Sequence, residues 1–209
     1  MDILVVNPNT TSSMTKKIGE AARSIALANT NIIAVNPKDG PPSIEGYFDE
    51  VFAIPGMIGE MQKYANADAC IIACFDDTGL DAARCAGTMP VIGIGEAAFH
   101  MASLISGKFS VVTTLSRSVP AIEHNLVRYG LATRCARVRA SDVAVLELEV
   151  PGSDARKRIS EEIARAIRDD HAEAIVLGCA GMADLAASLS EEHGLPVIDG
   201  VTAAVKLCE

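Results

Sequence analysis

One apolar strand pattern occurs twice in the chain, and each copy ends in a cysteine: Ala67-Asp68-Ala69-Cys70-Ile71-Ile72-Ala73-Cys74 and Ala172-Glu173-Ala174-Ile175-Val176-Leu177-Gly178-Cys179. A single offset carries Cys74 onto Cys179. Chance matches between apolar strands are common but do not extend far, and this one does extend. Met89-Pro90-Val91-Ile92-Gly93 is echoed by Leu195-Pro196-Val197-Ile198-Asp199, with Ala97-Ala98 and Ala203-Ala204 following. Asp2-Ile3-Leu4-Val5-Val6-Asn7 is echoed more loosely by Phe109-Ser110-Val111-Val112-Thr113-Thr114. The order of segments is the same in both halves, so two similar α/β lobes are expected, residues 1–107 and 108–209, with the last helical pattern able to return to the first lobe. Lobes related by a pseudo-twofold axis can bring their thiols together across a shared cleft. Two facing thiols suit removal of a proton from one side of a carbon and delivery of one to the other.

Alternation of short β-rich runs with alanine-rich helical patterns is the signature of parallel sheets with crossover helices. Strands are predicted at Ile3–Val6, Ile32–Asn36, Ala69–Ala73, Val91–Ile94, Ser110–Thr113, Cys135–Arg139, Ala174–Leu177 and Pro196–Ile198, most of them apolar on both faces, as in a sheet covered on both sides. Met14, Ile18, Ala22 and Ile25 form one helical stripe, and Ile159, Ile163 and Ile167 form another behind a Ser153 cap. Leu126 and Tyr129 before Gly130 predict a helix with a glycine stop. Pro55 falls inside the Phe48–Met61 pattern, which predicts a kink or two short helices. The irregular loop Pro37–Ser43 is the kind that lines sites.

The net charge of −9 and the absence of Trp argue against a nucleic-acid surface, which needs a basic face and often stacking aromatics. A small neutral or weakly charged ligand fits better. No apolar run reaches the roughly 20 residues of a membrane span and no basic-then-apolar leader follows Met1, so a cytoplasmic protein is expected. The six cysteines are scattered in a chain of ordinary size, which predicts reduced thiols. His100, His124, His171 and His193 show no ligand spacing and there is no C-x-x-C, so no metal site is expected. Cys70, Cys85, Cys135 and Cys208 are read as packing residues.

Ligands of open α/β sheets bind beyond the carboxyl ends of strands, where Cys74 and Cys179 both fall. A helical pattern follows each, so main-chain N–H groups and the positive end of a helix dipole should favour thiolate. A free thiol near pKa 8.5 is only about 3% ionised at pH 7, and lowering it to about 7 ionises roughly half. A larger contribution is expected from amides aimed at the developing oxyanion, with Phe75, Asp76, Ala180 and Gly181 as candidates. Asn7 and Asn9, in Asn7-Pro8-Asn9-Thr10-Thr11, follow the first strand at the same edge, and Thr113-Thr114 holds the matching position in the second half. Turn formation and helix capping account equally well for the Asn-Pro-Asn-Thr run taken alone. Agreement between halves favours ligand contact.

Asn7-Pro8-Asn9-Thr10, Pro42-Ser43-Ile44-Glu45-Gly46, Ala73-Cys74-Phe75-Asp76-Asp77 and Val176-Leu177-Gly178-Cys179-Ala180-Gly181-Met182 together resemble the hydantoin racemase branch of the aspartate/glutamate racemase superfamily, over nearly the whole chain. The resemblance implies a two-lobed fold, oligomeric assembly and cofactor-independent racemisation of 5-substituted hydantoins, with Cys74 and Cys179 as the acid/base thiols. Glutamate racemases carry Asn-Thr and Thr-His after their cysteines, where this chain has Phe75-Asp76 and Ala180-Gly181, a difference that disfavours a free amino acid. Members of the family usually continue beyond the equivalent of Glu209. Allantoin racemisation is the nearest alternative, and Ile44, Tyr47 and Phe48 lean towards an apolar ring substituent. A small-molecule binding protein without chemistry is the rival from another class, because two-lobed α/β folds also close on ligands.

Overall fold

Runs such as Ile3–Val6 and Ile175–Leu177 have no polar side chain to turn to water, so they form strands only where both sheet faces are covered. In the computed structural model, which describes residues 1–209, all of these side chains are fully buried. The elements in chain order are β1 Asp2–Val6, α1 Ser12–Ile25, β2 Asn31–Val35, α2 Tyr47–Lys63, β3 Ala69–Ile72, α3 Leu80–Ala86, β4 Val91–Gly93, α4 Ile94–Ile105, β5 Phe109–Thr113, α5 Val119–Arg128, β6 Cys135–Ala140, α6 Ala155–Asp170, β7 Ala174–Gly178, α7 Ala186–His193, β8 Val197–Asp199 and α8 Gly200–Cys208. Two four-stranded parallel sheets repeat one order, β2-β1-β3-β4 and β6-β5-β7-β8. Every predicted strand is present to within one residue at each end.

Helix α1 buries Met14, Ile18 and Ala22, and α6 buries Ile159 and Ile163. Helix α5 stops as expected: Gly130 adopts φ +73°, and the Gly130 and Leu131 amides donate to the Val127 and Leu126 carbonyls at 3.1 and 2.9 Å, the paired bonds of a Schellman stop. Two local expectations fail. Ser153 does not cap α6, whose N-cap position is Asp154; its hydroxyl donates instead to the Glu147 carbonyl at 3.1 Å. Pro55 does not divide α2. The missing N–H leaves the Val51 carbonyl without its helical donor, and Val51 is exposed, so water can serve that carbonyl.

Helices α4 and α8 pack on each other between the two sheets, α4 also meeting β7, β8 and α5 of the second half, and α8 meeting α1, β3 and β4 of the first half as well as β7 and β8. One apolar cluster accordingly runs from Val5 and Ile71 through Phe99 and Phe109 to Val176 and Val205. Gly93 aligns with Asp199 in the repeat, so Ile94 is the counterpart of Gly200, and these two meet: a Cβ on Gly200 would lie 2.3 Å from the Ile94 carbonyl oxygen. A residue can touch its own symmetry mate only beside the axis, so Gly200 and Ile94 meet next to the axis that relates the lobes.

Capping also differs between halves. Asp199 caps α8 directly, accepting from the Thr202 amide at 2.9 Å. Gly93 cannot do this for α4, and Asp77 reaches across to accept from the Gly95 and Glu96 amides at 2.8 and 2.9 Å. The Asp77 carboxylate fills the space that a Gly93 side chain would need, 2.1 Å from its Cβ position. Asp77 takes the left-handed conformation, φ 54°, to do so, and this fixes the loop that carries Cys74.

Candidate active site

Strands β1, β3, β5 and β7 all end at one edge of their sheets, and the residues just beyond them converge on one small, partly open cavity. Cys74 and Cys179 both line it, one from each lobe, and both are free thiols. Asn9, Ile44, Phe75, Asp76, Thr113, Thr114 and Ala180, all expected from sequence, line it as well. Asn7 and Gly181 do not. Asn7 is buried behind the wall, donating through Nδ2 to Asn9 Oδ1 at 2.9 Å and Thr15 Oγ1 at 3.0 Å, so it holds Asn9 in place. The Gly181 amide lies beside the Cys179 sulfur, and Gly181 itself is not part of the cavity wall.

The remaining polar groups divide by what they have left to offer. Asn9 Oδ1 accepts from Asn7 and from the Thr11 amide, while Nδ2 donates to Met14 sulfur at 3.4 Å, which leaves one amide hydrogen for a ligand. Thr113 ties β5 to β7 by donating to the Gly178 carbonyl at 2.8 Å, and its neighbour Thr114 keeps a hydroxyl facing the cavity. Phe75 anchors the Cys74 loop, meeting Phe99 edge-on with centroids 5.3 Å apart.

The expected thiolate preference is contradicted at both cysteines. Helix α3 begins only at Leu80, too far along to aim its dipole at Cys74; a 3₁₀ segment, Ala180–Leu185, follows Cys179. Burial pushes both thiols up, Cys179 to about 11 against the pull of the Gly181 amide, and Cys74 well above the ordinary thiol range because the Asp76 carboxylate faces it as well. Both rest as S–H groups. The Thr78 hydroxyl is within hydrogen-bonding reach of both Cys74 and Asp76, and its single proton serves one at a time.

Several contributors were not legible beforehand. Met14 read as part of a core stripe, yet it lines the cavity; Ser118, just before α5, Ile122, one turn further on, and Val145, at the start of a 3₁₀ segment, line it too. Glu45 assembles that wall. Its carboxylate accepts from the Val145 amide at 3.0 Å and pairs with Arg117, and its carbonyl accepts from Ser118 at 3.0 Å, bringing Ile44 beside the second lobe. Tyr47 and Phe48, expected at the substituent, are exposed at 51% and 76% and stand outside this cavity. The Pro37–Ser43 loop lies behind them: Asp39, Gly40 and Pro41 share a separate groove with Phe48 and Phe52. Cys85 is exposed and not a packing residue.

The model of the Asp/Glu/Hydantoin racemase family matches residues 3–208. A hydantoin racemase of Rhizobium meliloti is 50% identical over 211 aligned residues, which cover 100% of this chain and 88% of the relative. The solved structure of an allantoin racemase from Klebsiella pneumoniae superposes with a TM-score of 0.97 at 47% identity, covering 100% of this chain and 86% of the other. A glutamate racemase from Francisella tularensis, at 18% identity and a TM-score of 0.68 over 99% of this chain and 78% of its own, has the same fold.

Proposed function

We propose a function from one premise: the chain belongs to the Asp/Glu/hydantoin racemase family. It is an isomerase that inverts C5 of 5-substituted hydantoins, with Cys74 and Cys179 as the two acid/base groups. The observation that carries the reading is the pair of free thiols lining one cavity from opposite lobes.

The C5 hydrogen of a hydantoin lies next to a ring carbonyl, so its removal leaves an enolate spread over the ring. One sulfur, as thiolate, takes this proton; the other delivers its S–H proton to the opposite face. The ring has two N–H donors and two carbonyl acceptors, which the Asp76 carboxylate on one hand and the Asn9 amide and Thr114 hydroxyl on the other can meet. A substrate with its own carboxylate would face Asp76 with like charge, which costs several kcal/mol at a close interface. This favours a neutral cyclic diamide over a free amino acid.

Ionising Cys179 at pH 7 against a pKa of about 11 costs about 5 kcal/mol at about 1.36 kcal/mol per pH unit. A group raised in this way gains thiolate as pH rises towards its pKa. Racemisation, corrected for the uncatalysed rate and for ionisation of the substrate, should therefore climb steeply between pH 7 and 9, approaching about tenfold per unit. A flat profile over that interval would mean that the reacting thiolate is already formed at neutral pH.

Ile44, Phe75, Ile122 and Val145 give the cavity an apolar wall, which suits an apolar substituent at C5. The likeness to an allantoin racemase structure favours a second reading, a polar ureido substituent. Decay of optical rotation of enantiopure 5-benzylhydantoin and of allantoin, followed in parallel, decides between them. We expect benzylhydantoin to be preferred by about tenfold or more in kcat/KM, the scale on which a hydrophobic pocket discriminates. The reverse order assigns allantoin, and no decay with either rejects both.

A further inference from the structure

The repeat pairs Cys74 with Cys179, but their surroundings are opposite in kind. The Gly181 amide lies beside the Cys179 sulfur and favours its charged form, whereas the Asp76 carboxylate lies beside the Cys74 thiol and opposes it. The Asp76 carboxylate in turn faces the Glu50 carboxyl on α2. Nothing matches this chain in the second half, where Ala180 and Gly181 follow the cysteine. Glu50 Oε1 is buried and has no hydrogen-bond donor of its own. A buried carboxyl oxygen set against a second carboxylate is satisfied when the pair keeps one proton between them. Burial pushes Asp76 up as well, and the Thr78 amide at 3.2 Å and the Thr78 hydroxyl, which it accepts from, pull part of the way back, so the two carboxyls hold one proton between them.

We propose that Glu50 is a positioning residue: it shares one proton with Asp76, and the pair holds Cys74 as the proton-bearing thiol of the resting enzyme, so that Cys179 is the first proton acceptor. This rests on the two-thiol reading above.

The groups facing Glu50 are consistent with it. Burial and the Asp76 charge push Glu50 up to about 8, Asp49 adds to the rise, and Arg128 of α5 opposes it. Arg128 is largely occupied by Asp81 at 2.8 Å and the Tyr129 hydroxyl at 2.6 Å. Tyr47, also near Glu50, stays protonated and hydrogen-bonds His124 at 2.6 Å. Below pH 8 the carboxyl pair carries one negative charge; above it the pair carries two, and Cys74 is still harder to ionise. A glutamine at position 50 keeps the neutral state at every pH.

Iodoacetamide labelling between pH 7 and 10, read peptide by peptide by mass spectrometry, tests this in Cys179→Ser and Cys74→Ser, each with and without Glu50→Gln. Alkylation reports thiolate whatever the substrate, whereas failure of the hydantoin reading appears in optical rotation, so the two failures are separable. We expect Cys179 to label about tenfold faster than Cys74 at pH 9. Glu50→Gln should speed Cys74 about threefold or more at that pH and leave Cys179 unchanged, which also demonstrates an intact fold. Equal labelling of the two thiols, no response of Cys74, or an equal response of both in a folded variant overturns the proposal. If Glu50→Gln unfolds, Asp76→Asn replaces it: labelling that speeds more at Cys74 than at Cys179 supports the proposal, and unchanged or equally faster labelling of the two overturns it.

Discussion

Replacement of either Cys74 or Cys179 by serine is expected to lower racemisation of an enantiopure 5-substituted hydantoin by at least about a thousandfold, within the range that a positioned acid or base supplies. Serine keeps the shape of the thiol, so the cavity persists, but its hydroxyl cannot be ionised in a site that already opposes a thiolate. In the proposed mechanism the two residues act on opposite faces of one carbon, so neither can stand in for the other. Transfer of the reaction to deuterated water separates the half-reactions. A variant that keeps one working sulfur is expected to exchange the C5 hydrogen of one enantiomer slowly without inverting it. Racemisation within about tenfold of the parent rate in either serine variant would rule out a two-thiol mechanism.

Gly200→Ala is expected to produce the largest loss of stability of any substitution that adds a single methyl group at the lobe contact. The new Cβ would stand 2.3 Å from the Ile94 carbonyl oxygen and 2.9 Å from its carbon. Both are main-chain atoms at the head of α4, so no side-chain rotation relieves the contact. Overpacking of this kind costs about 2–3 kcal/mol, or a fall in Tm of about 5–10 °C for a chain of this size. The clash lies where the lobes meet, so parting them should also disturb the alignment of the two sulfurs and lower kcat. Gly59→Ala in α2 is the matched control, because nothing lies within 4 Å of its added methyl and alanine is the better helix former by roughly 0.5–1 kcal/mol. Differential scanning calorimetry of the two variants gives the comparison directly, and a Gly200→Ala protein as stable as the control would mean that the lobes adjust freely.

Much of the architecture was legible because it is written in local pattern. Ile3–Val6 and Ala174–Leu177 are apolar at every position, and only a strand covered on both faces accommodates that; the shared order of segments then gave the same sheet twice. Gly130 ended α5 where the pattern placed it. The site was legible to the extent that it follows from strand ends: Cys74, Cys179, Asn9 and Thr114 stand at the edge where parallel strands deliver their next residue. Asn7 and Gly181 shared that edge and were misread as ligand contacts, because strand position tells which residues reach the edge and not which way each one faces.

The amino-acid sequence by itself determined the strand set, the repeat, the placement of two cysteines at equivalent strand ends and the family that these motifs resemble. Only the tertiary structure decided the state of those cysteines. Burial raised both thiols, and Asp76 raised Cys74 further, although a strand-to-helix turn viewed alone favours thiolate. The packing of α4 against α8 between the sheets, and the capping of α4 by Asp77 in the space left by Gly93, were likewise set in three dimensions. The physical reason is the same in each case: periodicity records how a residue sits on its own element, whereas desolvation, charge pairing and close contact depend on groups that distant segments bring to the same place.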